Sequence, residues 1–272
     1  MIRSPYVSGI FYPEDPILLK KEIDFYFSKI NYSNNRINNQ NIQALIVPHA
    51  GYQYSGEVAS YGFKLIASKK IEKVILIGPS HHFNFSKLCF SPFSYFQNPL
   101  GKIPALKLED IKNLITLNIK LDNIAFESDE IHQIEHCLEV ELPFLQKAIQ
   151  NSFKIIPILV SEINIKFLEE YVNLLDKLLQ EKTILIVSTD LSHYHPYEKA
   201  IFYDQRTISL ILEKDEEKLL KEGEACGLNA LYLFLKLAKK RMLKACLLKY
   251  LNSGDVTKDF SRVVGYASIA FY

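Results

Sequence analysis

The chain has 272 residues, of which 48% are hydrophobic and 23% charged, so it is long enough to bury a large core. Its 32 basic and 31 acidic residues are dispersed along the sequence, which argues against a nucleic-acid-binding surface. No apolar run approaches the roughly 20 residues of a membrane span, and residues 1–16 lack the apolar core of a signal peptide. We therefore expect one cytoplasmic domain over residues 1–272, without a membrane or nucleic-acid partner.

The spacing of apolar residues predicts strands that alternate with helices. Strands are predicted near residues 44–47, 74–77, 154–160, 184–188, 244–250 and 263–271. Helices are predicted near residues 14–30, 57–68, 108–118, 136–150, 164–180, 197–212, 215–222 and 227–240. The strands lack polar/apolar alternation and their connections are long, which favours a three-layer α/β fold with a mostly parallel central sheet between helices. The stretch 83–103 is predicted to be an insertion or a hairpin.

Polar side chains with metal-binding or acid–base chemistry follow three of these strands. His49 follows the strand in ALIVPHAG, His81 follows the strand in VILIGPSHH, and Asp190 and His193 follow the strand in ILIVSTDLSH. Ligands of open α/β sheets bind beyond the carboxyl ends of the strands. If the three strands are parallel neighbours, the imidazoles and the carboxylate converge on one crevice.

A thiol is predicted to join this crevice. Cys226 lies in the ACGL stretch that opens a helix, and a helix N-terminus favours a thiolate, which is both a nucleophile and a soft metal ligand. The other three cysteines lie within apolar patterns and are expected to be packing residues. They are Cys89, Cys137 and Cys246. All four are expected to be free thiols, because the spacing shows no CxxC pair and the compartment is expected to be reducing.

A second metal-binding pattern is present at His132, Glu135 and His136, which match H-x-x-E-H. On one continuous helix this pattern would present two imidazoles to zinc, but residues 128–130 resemble the loop before a helix. We therefore favour a simpler interpretation, in which Glu135 and His136 at a helix start line the same crevice as substrate contacts or supporting groups.

Three further histidines and three tyrosines lie near the predicted site in the sequence. His82, His132 and His195 are each expected to be ordinary surface or hydrogen-bonded histidines. Tyr54, beside His49, is the aromatic side chain that we expect to contact substrate; Tyr52 and Tyr194 are further candidates. The sequence contains no GxSxG elbow, P-loop or GxGxxG fingerprint.

Six sequence blocks resemble the Memo family, named after the mediator of ErbB2-driven cell motility. They occur in the family's order over nearly the whole chain, and the N-terminal stretch from Ser4 to Tyr12 is similar too. The blocks are PHAGYQYSG (48–56), ILIGPSHH (75–82), EHCLEVELPFL (135–145), STDLSHY (188–194), CG (226–227), and NSGDVT with VVGYASIAFY at the C-terminus.

This resemblance implies an α/β domain similar to the class III, LigB-like extradiol dioxygenases, which hold a non-haem Fe(II) with two His and one Glu. By position, His49 and His81 would be the imidazole ligands and Cys226 would take the third place, with Asp190 and His193 nearby. Prokaryotic members are associated with an AMMECR-type protein and a radical SAM enzyme. Because a thiolate replaces the carboxylate, the extradiol reaction does not transfer directly, and iron, copper or zinc are all suitable.

Two functions are therefore expected from different classes. The first is a metal-dependent oxidoreductase acting on a small molecule, with one Fe(II), Cu or Zn ion, His193 as general acid/base and Asp190 as the group that orients or tunes it. The second is a non-enzymatic module that binds a peptide or partner protein in a vestigial pocket. The matched blocks contain no Arg and only Lys87 and Lys102 are close in sequence, which weakens phosphate recognition.

Overall fold

The computed structural model describes residues 1–32, 37, 40–67, 69–115 and 120–272. Its strands are β1 (Ile2–Arg3), β2 (Ala44–Val47), β3 (Lys73–Pro79), β4 (Leu88–Phe90), β5 (Tyr95–Asn98), β6 (Gly101–Pro104), β7 (Ala125–Glu127), β8 (Lys154–Val160), β9 (Thr183–Ser188), β10 (His193–His195), β11 (Ala245–Asn252) and β12 (Val263–Phe271). Its α-helices are α1 (Pro16–Ser28), α2 (Tyr52–Ile66), α3 (Leu108–Leu114), α4 (Asp129–Ile134), α5 (Leu142–Ala148), α6 (Leu168–Leu178), α7 (Tyr197–Glu213), α8 (Glu216–Glu222), α9 (Leu228–Lys240) and α10 (Ser253–Thr257).

The main sheet has nine strands, and its centre is parallel. Strands β2, β9, β3 and β8 are consecutive parallel neighbours. β12 pairs antiparallel with β2, and β10 and β11 pair with β12. β4 pairs antiparallel with β8 and parallel with β7. The largely parallel sheet that the sequence predicted is confirmed.

Side chains of the central strands alternate between two apolar layers. Along β3, Ile75 and Ile77 pack into one cluster, whereas Val74 and Leu76 pack into the other. The first layer contains residues of α3, α6, α7, α8 and α9, and the second contains residues of α1, α2 and α5. Because both faces are covered, the inner positions of these strands are apolar, and polar residues occur only at the strand ends, which explains the long apolar sequence runs.

Most predicted elements match the structure, and the differences have local causes. The predicted helix 136–150 begins only at Leu142, because Pro143 fits the first turn of a helix and residues 137–141 form turns. The predicted helix 57–68 begins earlier, at Tyr52, and its residue 68 lies outside the described residues. Residues 116–118 of the helix predicted at 108–118 also lie outside them.

The stretch 83–103 contains a hairpin, as predicted. β5 and β6 pair antiparallel around Asn98 and Gly101, and β1 joins them in a small three-stranded sheet. Gly101 has a φ of 128°, a backbone conformation that favours glycine. In the part of the chain that the structure describes, no helix has both the length and the apolar character needed to cross a membrane.

Candidate functional site

The residues that follow β2, β3 and β9 meet at the carboxyl edge of the sheet. β9 lies between β2 and β3, so the loops after these strands are neighbours. One donor atom each from His49, His81 and Cys226 lies within 4.8 Å of the other two. The structure thus brings together the three side chains that the sequence analysis proposed as metal ligands.

His49 is buried and held on both its backbone and its ring. Its backbone N–H donates to Asp190 Oδ1 at 2.8 Å, and its Nδ1 lies 2.8 Å from the Ser188 hydroxyl. Ser188 Oγ also contacts the Cys137 carbonyl oxygen at 2.8 Å and Glu141 Oε1 at 2.7 Å. The single Ser188 hydroxyl proton can be donated to one of these two acceptors, and the Ser188 oxygen then accepts from His49 if the ring proton is on Nδ1. That tautomer leaves a lone pair on Nε2, 3.3 Å from Cys226 Sγ.

His81 is oriented by a buried carboxylate. Glu135 Oε1 accepts from His81 Nδ1 at 2.8 Å, and Oε2 accepts from the His81 backbone N–H at 2.7 Å. Burial raises the pKa of Glu135, but the hydrogen bonds and charge of His81 and the charge of His136 outweigh it and lower the pKa to about 2. An ionised carboxylate can only accept, so His81 carries its proton on Nδ1 and has a free lone pair on Nε2.

His136 lies directly beside Glu135 and the His81 ring, in the crevice where the sequence analysis expected it. Its Nδ1 is 3.3 Å from Glu135 Oε1, and its ring stacks on His81 with centroids 4.6 Å apart. His81, Glu135 and His136 form a second group of donor atoms within 4.8 Å of one another. Burial, with repulsion from His49, lowers the pKa of His136 to about 3, so this imidazole is neutral. The sequence feature that indicated this group of donor atoms is that His136 directly follows Glu135.

Cys226 is placed by the turn into α9. Its N–H donates to the Asp190 carbonyl oxygen at 3.2 Å, and the next N–H, of Gly227, donates to Thr189 Oγ1 at 2.9 Å. A Cβ on Gly227 would lie 2.8 Å from Thr189 Cβ, so this close approach requires glycine. Burial and the nearby Asp190 carboxylate raise the pKa of the Cys226 thiol to about 12. Burial therefore opposes the thiolate that the sequence predicts at this helix start.

Asp190 and His193 border the same group. Burial raises the pKa of Asp190 to about 6, against the lowering effect of its hydrogen bond from His49 and the charge of His193. The His193 ring is oriented by the Leu191 carbonyl oxygen, which accepts from Nδ1 at 2.8 Å. That bond leaves His193 Nε2 able to take up a proton. The hydrogen-bond partner that orients His193 is therefore Leu191, whereas Asp190 holds the His49 backbone.

The two tyrosines beside His49 have different environments. Tyr52 is fully buried, and its hydroxyl donates to the Val140 carbonyl oxygen at 2.8 Å, so it cannot face a substrate. Tyr54 is half-buried. Burial and the charge of Asp190 raise the pKa of Tyr266.

The H-x-x-E-H pattern does not lie on one helix. α4 ends at Ile134, and Glu135 has an extended backbone with ψ of 124°. His132 is buried elsewhere, with Nε2 3.1 Å from the Cys89 carbonyl oxygen. Glu135 and His136 therefore follow the end of a helix rather than begin one. The other two histidines match their expected ordinary roles, since His82 is exposed and His195 Nε2 pairs with Glu224 at 2.7 Å.

The N-terminal segment is built into the wall of the site. The Arg3 guanidinium pairs with buried Glu139 at 2.7 Å and donates to the carbonyl oxygens of His132 and Glu135. Glu139 also accepts from the backbone of Tyr6 and Val7 and from the Tyr12 hydroxyl. The Phe11 ring lies 4.9 Å from the His136 ring. Sequence patterns gave no sign of this buried ion pair.

The fold and site define an α/β protein with a His/Cys/Glu cluster at the carboxyl edge of a parallel sheet. The family model described as Memo-like protein matches residues 3–270. The chain therefore belongs to the Memo-like protein family, as its sequence blocks predicted.

Curated relatives match the chain over its whole length. It is 35% identical to a MEMO1 family protein of Sulfurisphaera tokodaii, with 100% of this chain and 99% of the relative covered. It is 34% identical to a MEMO1 family protein of Nitrosopumilus maritimus, with both chains covered completely.

A solved structure shares the fold. It is the uncharacterized protein JW3007 from Escherichia coli K12, with a TM-score of 0.53 and 12% identity, covering 85% of this chain and 99% of that one. This likeness concerns the fold alone.

Proposed function

We propose that this protein is a metal-dependent oxidoreductase in which His49, His81 and Cys226 hold one Fe(II) or Cu ion, with Zn also suitable. The observation that carries the proposal is the convergence of their three donor atoms within 4.8 Å. Ligand bonds of about 2.0–2.3 Å give donor separations on the order of 3.5 Å around one tetrahedral ion. The 3.3 Å between His49 Nε2 and Cys226 Sγ fits that requirement.

The surrounding hydrogen bonds support the same donor set. Ser188 and Glu135 occupy the Nδ1 atoms of His49 and His81, so both rings offer Nε2 as neutral ligands. The Cys226 thiol would lose its proton when a cation binds. A bound ion would supply Lewis-acid or redox chemistry, with coordination positions left for a small substrate.

The chain's own residues would position the substrate and move protons. His193 Nε2 is free to accept a proton from a substrate hydroxyl or to return it, because Nδ1 is engaged by Leu191. Asp190 would fix the backbone of His49 through its hydrogen bond and act on His193 through its charge. Tyr54 and His136 would contact the substrate, with Glu135 supporting two imidazoles.

Metal analysis of protein purified without chelator tests the proposal. We expect about one Fe or Cu ion per chain, because the three proposed ligands can hold one ion together. Oxygen uptake by the anaerobically loaded protein is then measured against catechols, thiols and nucleotides. A chain that binds none of Fe, Cu or Zn stoichiometrically would instead be a binding module with a vestigial pocket.

A Glu135→Gln variant is expected to lower metal affinity about 10- to 100-fold, as loss of an outer hydrogen-bond partner typically does. The glutamine amide has an NH₂ group in place of one carboxylate oxygen. That group would face a His81 donor, either the backbone N–H or Nδ1, so one of the two hydrogen bonds would be lost. Competition with a chromophoric chelator measures the affinity. Glu224→Gln, which alters the same type of pair at His195, is the matched control and should leave the affinity unchanged.

A further inference from the structure

Among the arginines that the structure describes, only Arg262 has no carboxylate partner. Arg3 pairs with Glu139, Arg206 with Glu222 and Arg241 with Asp176. Within the described residues no ion pair involves Arg262; its guanidinium carbon instead lies over the Tyr194 ring, 4.9 Å from the ring centroid. This contact leaves the N–H edges of the guanidinium available to another ligand.

Tyr194 places that guanidinium beside the site. The Tyr194 ring is 5.7 Å from the ring of His193, and His193 pairs with Val264 at the start of β12. Tyr194 has a φ of 62°, a left-handed conformation that is uncommon for a bulky residue, and 61% of the residue is exposed. Such strain is retained most often at functional sites. One aromatic ring thus separates Arg262 from His193.

The carboxylates nearest in sequence are occupied by other donors. Asp259 Oδ1 accepts from the backbone N–H and hydroxyl of Ser261. Asp255 accepts from the Tyr197 hydroxyl and the Asn252 N–H. Among the described residues, neither carboxylate forms an ion pair with Arg262.

Lys87 and Lys102, the two lysines close in sequence to the matched blocks, have other surroundings than Arg262. Lys87 donates to the Asp122 carbonyl oxygen at 2.8 Å. Lys102 lines a groove with Phe153, which precedes β8 and so lies toward the opposite end of the sheet from His81. Arg262, which directly precedes the VVGYASIAFY block, instead lies over the ring of Tyr194, the residue next to His193.

We propose that Arg262 binds an oxyanion, a carboxylate or phosphate, on a small substrate whose other end reaches the imidazole cluster. The inference rests on the proposed function for the location of the reacting end. A planar guanidinium matches both oxyanions through paired hydrogen bonds, and the Tyr194 face holds it in place. The substrate class is thereby narrowed to anionic molecules.

Equilibrium binding of matched aromatic probes tests this role. Benzoate and phenyl phosphate carry the two oxyanions, and benzamide and phenol are their neutral counterparts. In Arg262→Gln we expect roughly tenfold to hundredfold weaker binding of the preferred anion, since hydrogen bonds to charged groups have that effect. Arg262→Lys should retain part of the affinity, and Tyr194→Leu should weaken it by freeing the guanidinium.

The controls separate this inference from the proposed function. Arg206→Gln removes an exposed arginine that already has a partner and should bind both anions normally. Titrations are run on metal-loaded and chelator-treated protein, and the metal content of Arg262→Gln should equal that of the unaltered chain. Equal anion affinity in Arg262→Gln, or no binding of either anion by the unaltered chain, overturns the inference even where a metal is bound.

Discussion

Substituting Cys226 by serine or His81 by alanine is expected to abolish stoichiometric metal binding while the fold is retained. Each change removes one of the three donor atoms that lie within 4.8 Å of one another. Loss of a supporting hydrogen bond alone lowers metal affinity about 10- to 100-fold, so loss of a ligand should lower it more than about 100-fold. Elemental analysis gives the metal content, and thermal unfolding of the chelated proteins tests the fold.

The chain supplies a matched control for each substitution. Cys246 is another partly exposed free cysteine, so Cys246→Ser repeats the chemistry of Cys226→Ser away from the cluster. His195 is paired with a glutamate and is 24% exposed, compared with 27% for His81, so His195→Ala matches His81→Ala. If Cys226→Ser and Cys246→Ser retain the same metal content, the proposed donor set is wrong.

His49→Ala should lose the metal as well, but with an additional loss of stability. His49 is 2% exposed, and its removal leaves a cavity beside Ser188. His81 and Cys226 are therefore the clearer positions for separating metal binding from folding.

Replacing Arg3 by methionine is expected to lower the free energy of unfolding by about 3–5 kcal/mol, the typical cost of leaving a buried charge unpaired. The Arg3 and Glu139 side chains are 1% and 0% exposed, and no other cation is paired with Glu139 among the described residues. Urea unfolding measures the change. Arg3→Met should also weaken metal binding, because the guanidinium holds the Glu135 carbonyl oxygen at 2.7 Å.

Arg206→Met is the control for this prediction. It removes an exposed arginine from its pair with Glu222, a change that typically costs less than about 1 kcal/mol. If Arg3→Met and Arg206→Met have the same unfolding free energy, the buried pair does not stabilise the protein as argued.

The parallel sheet was predictable because its strands are covered on both faces and therefore read as unbroken apolar runs. The runs before His49, His81 and Asp190 matched β2, β3 and β9 closely. Strands of two or three residues, such as β1, β4 and β10, carry too few residues to show a period, so the sequence analysis missed them. Their pairing depends on tertiary contacts.

The convergence of His49 and His81 was expected if their strands are parallel neighbours, and Cys226 was proposed from its position at a helix start, whereas its raised pKa was not predictable. Local sequence placed the thiol at a helix start, but its pKa depends on burial beside Asp190, a residue distant in sequence. The roles of Ser188 and Arg3 in orienting the site were not predicted either, because they also depend on contacts with residues distant in sequence. Arg262 was overlooked because its neighbour Tyr194 is brought close only by the pairing of β10 with β12.

The position of β12 has a consequence for synthesis of the protein. This C-terminal strand is the neighbour of β2, which lies near the start of the chain. While the nascent chain is growing, β2 lacks that neighbour, and His49 and His81 are made long before Cys226. The donor cluster therefore closes only after Cys226 has been synthesised, and folding through such distant pairings is expected to be slow.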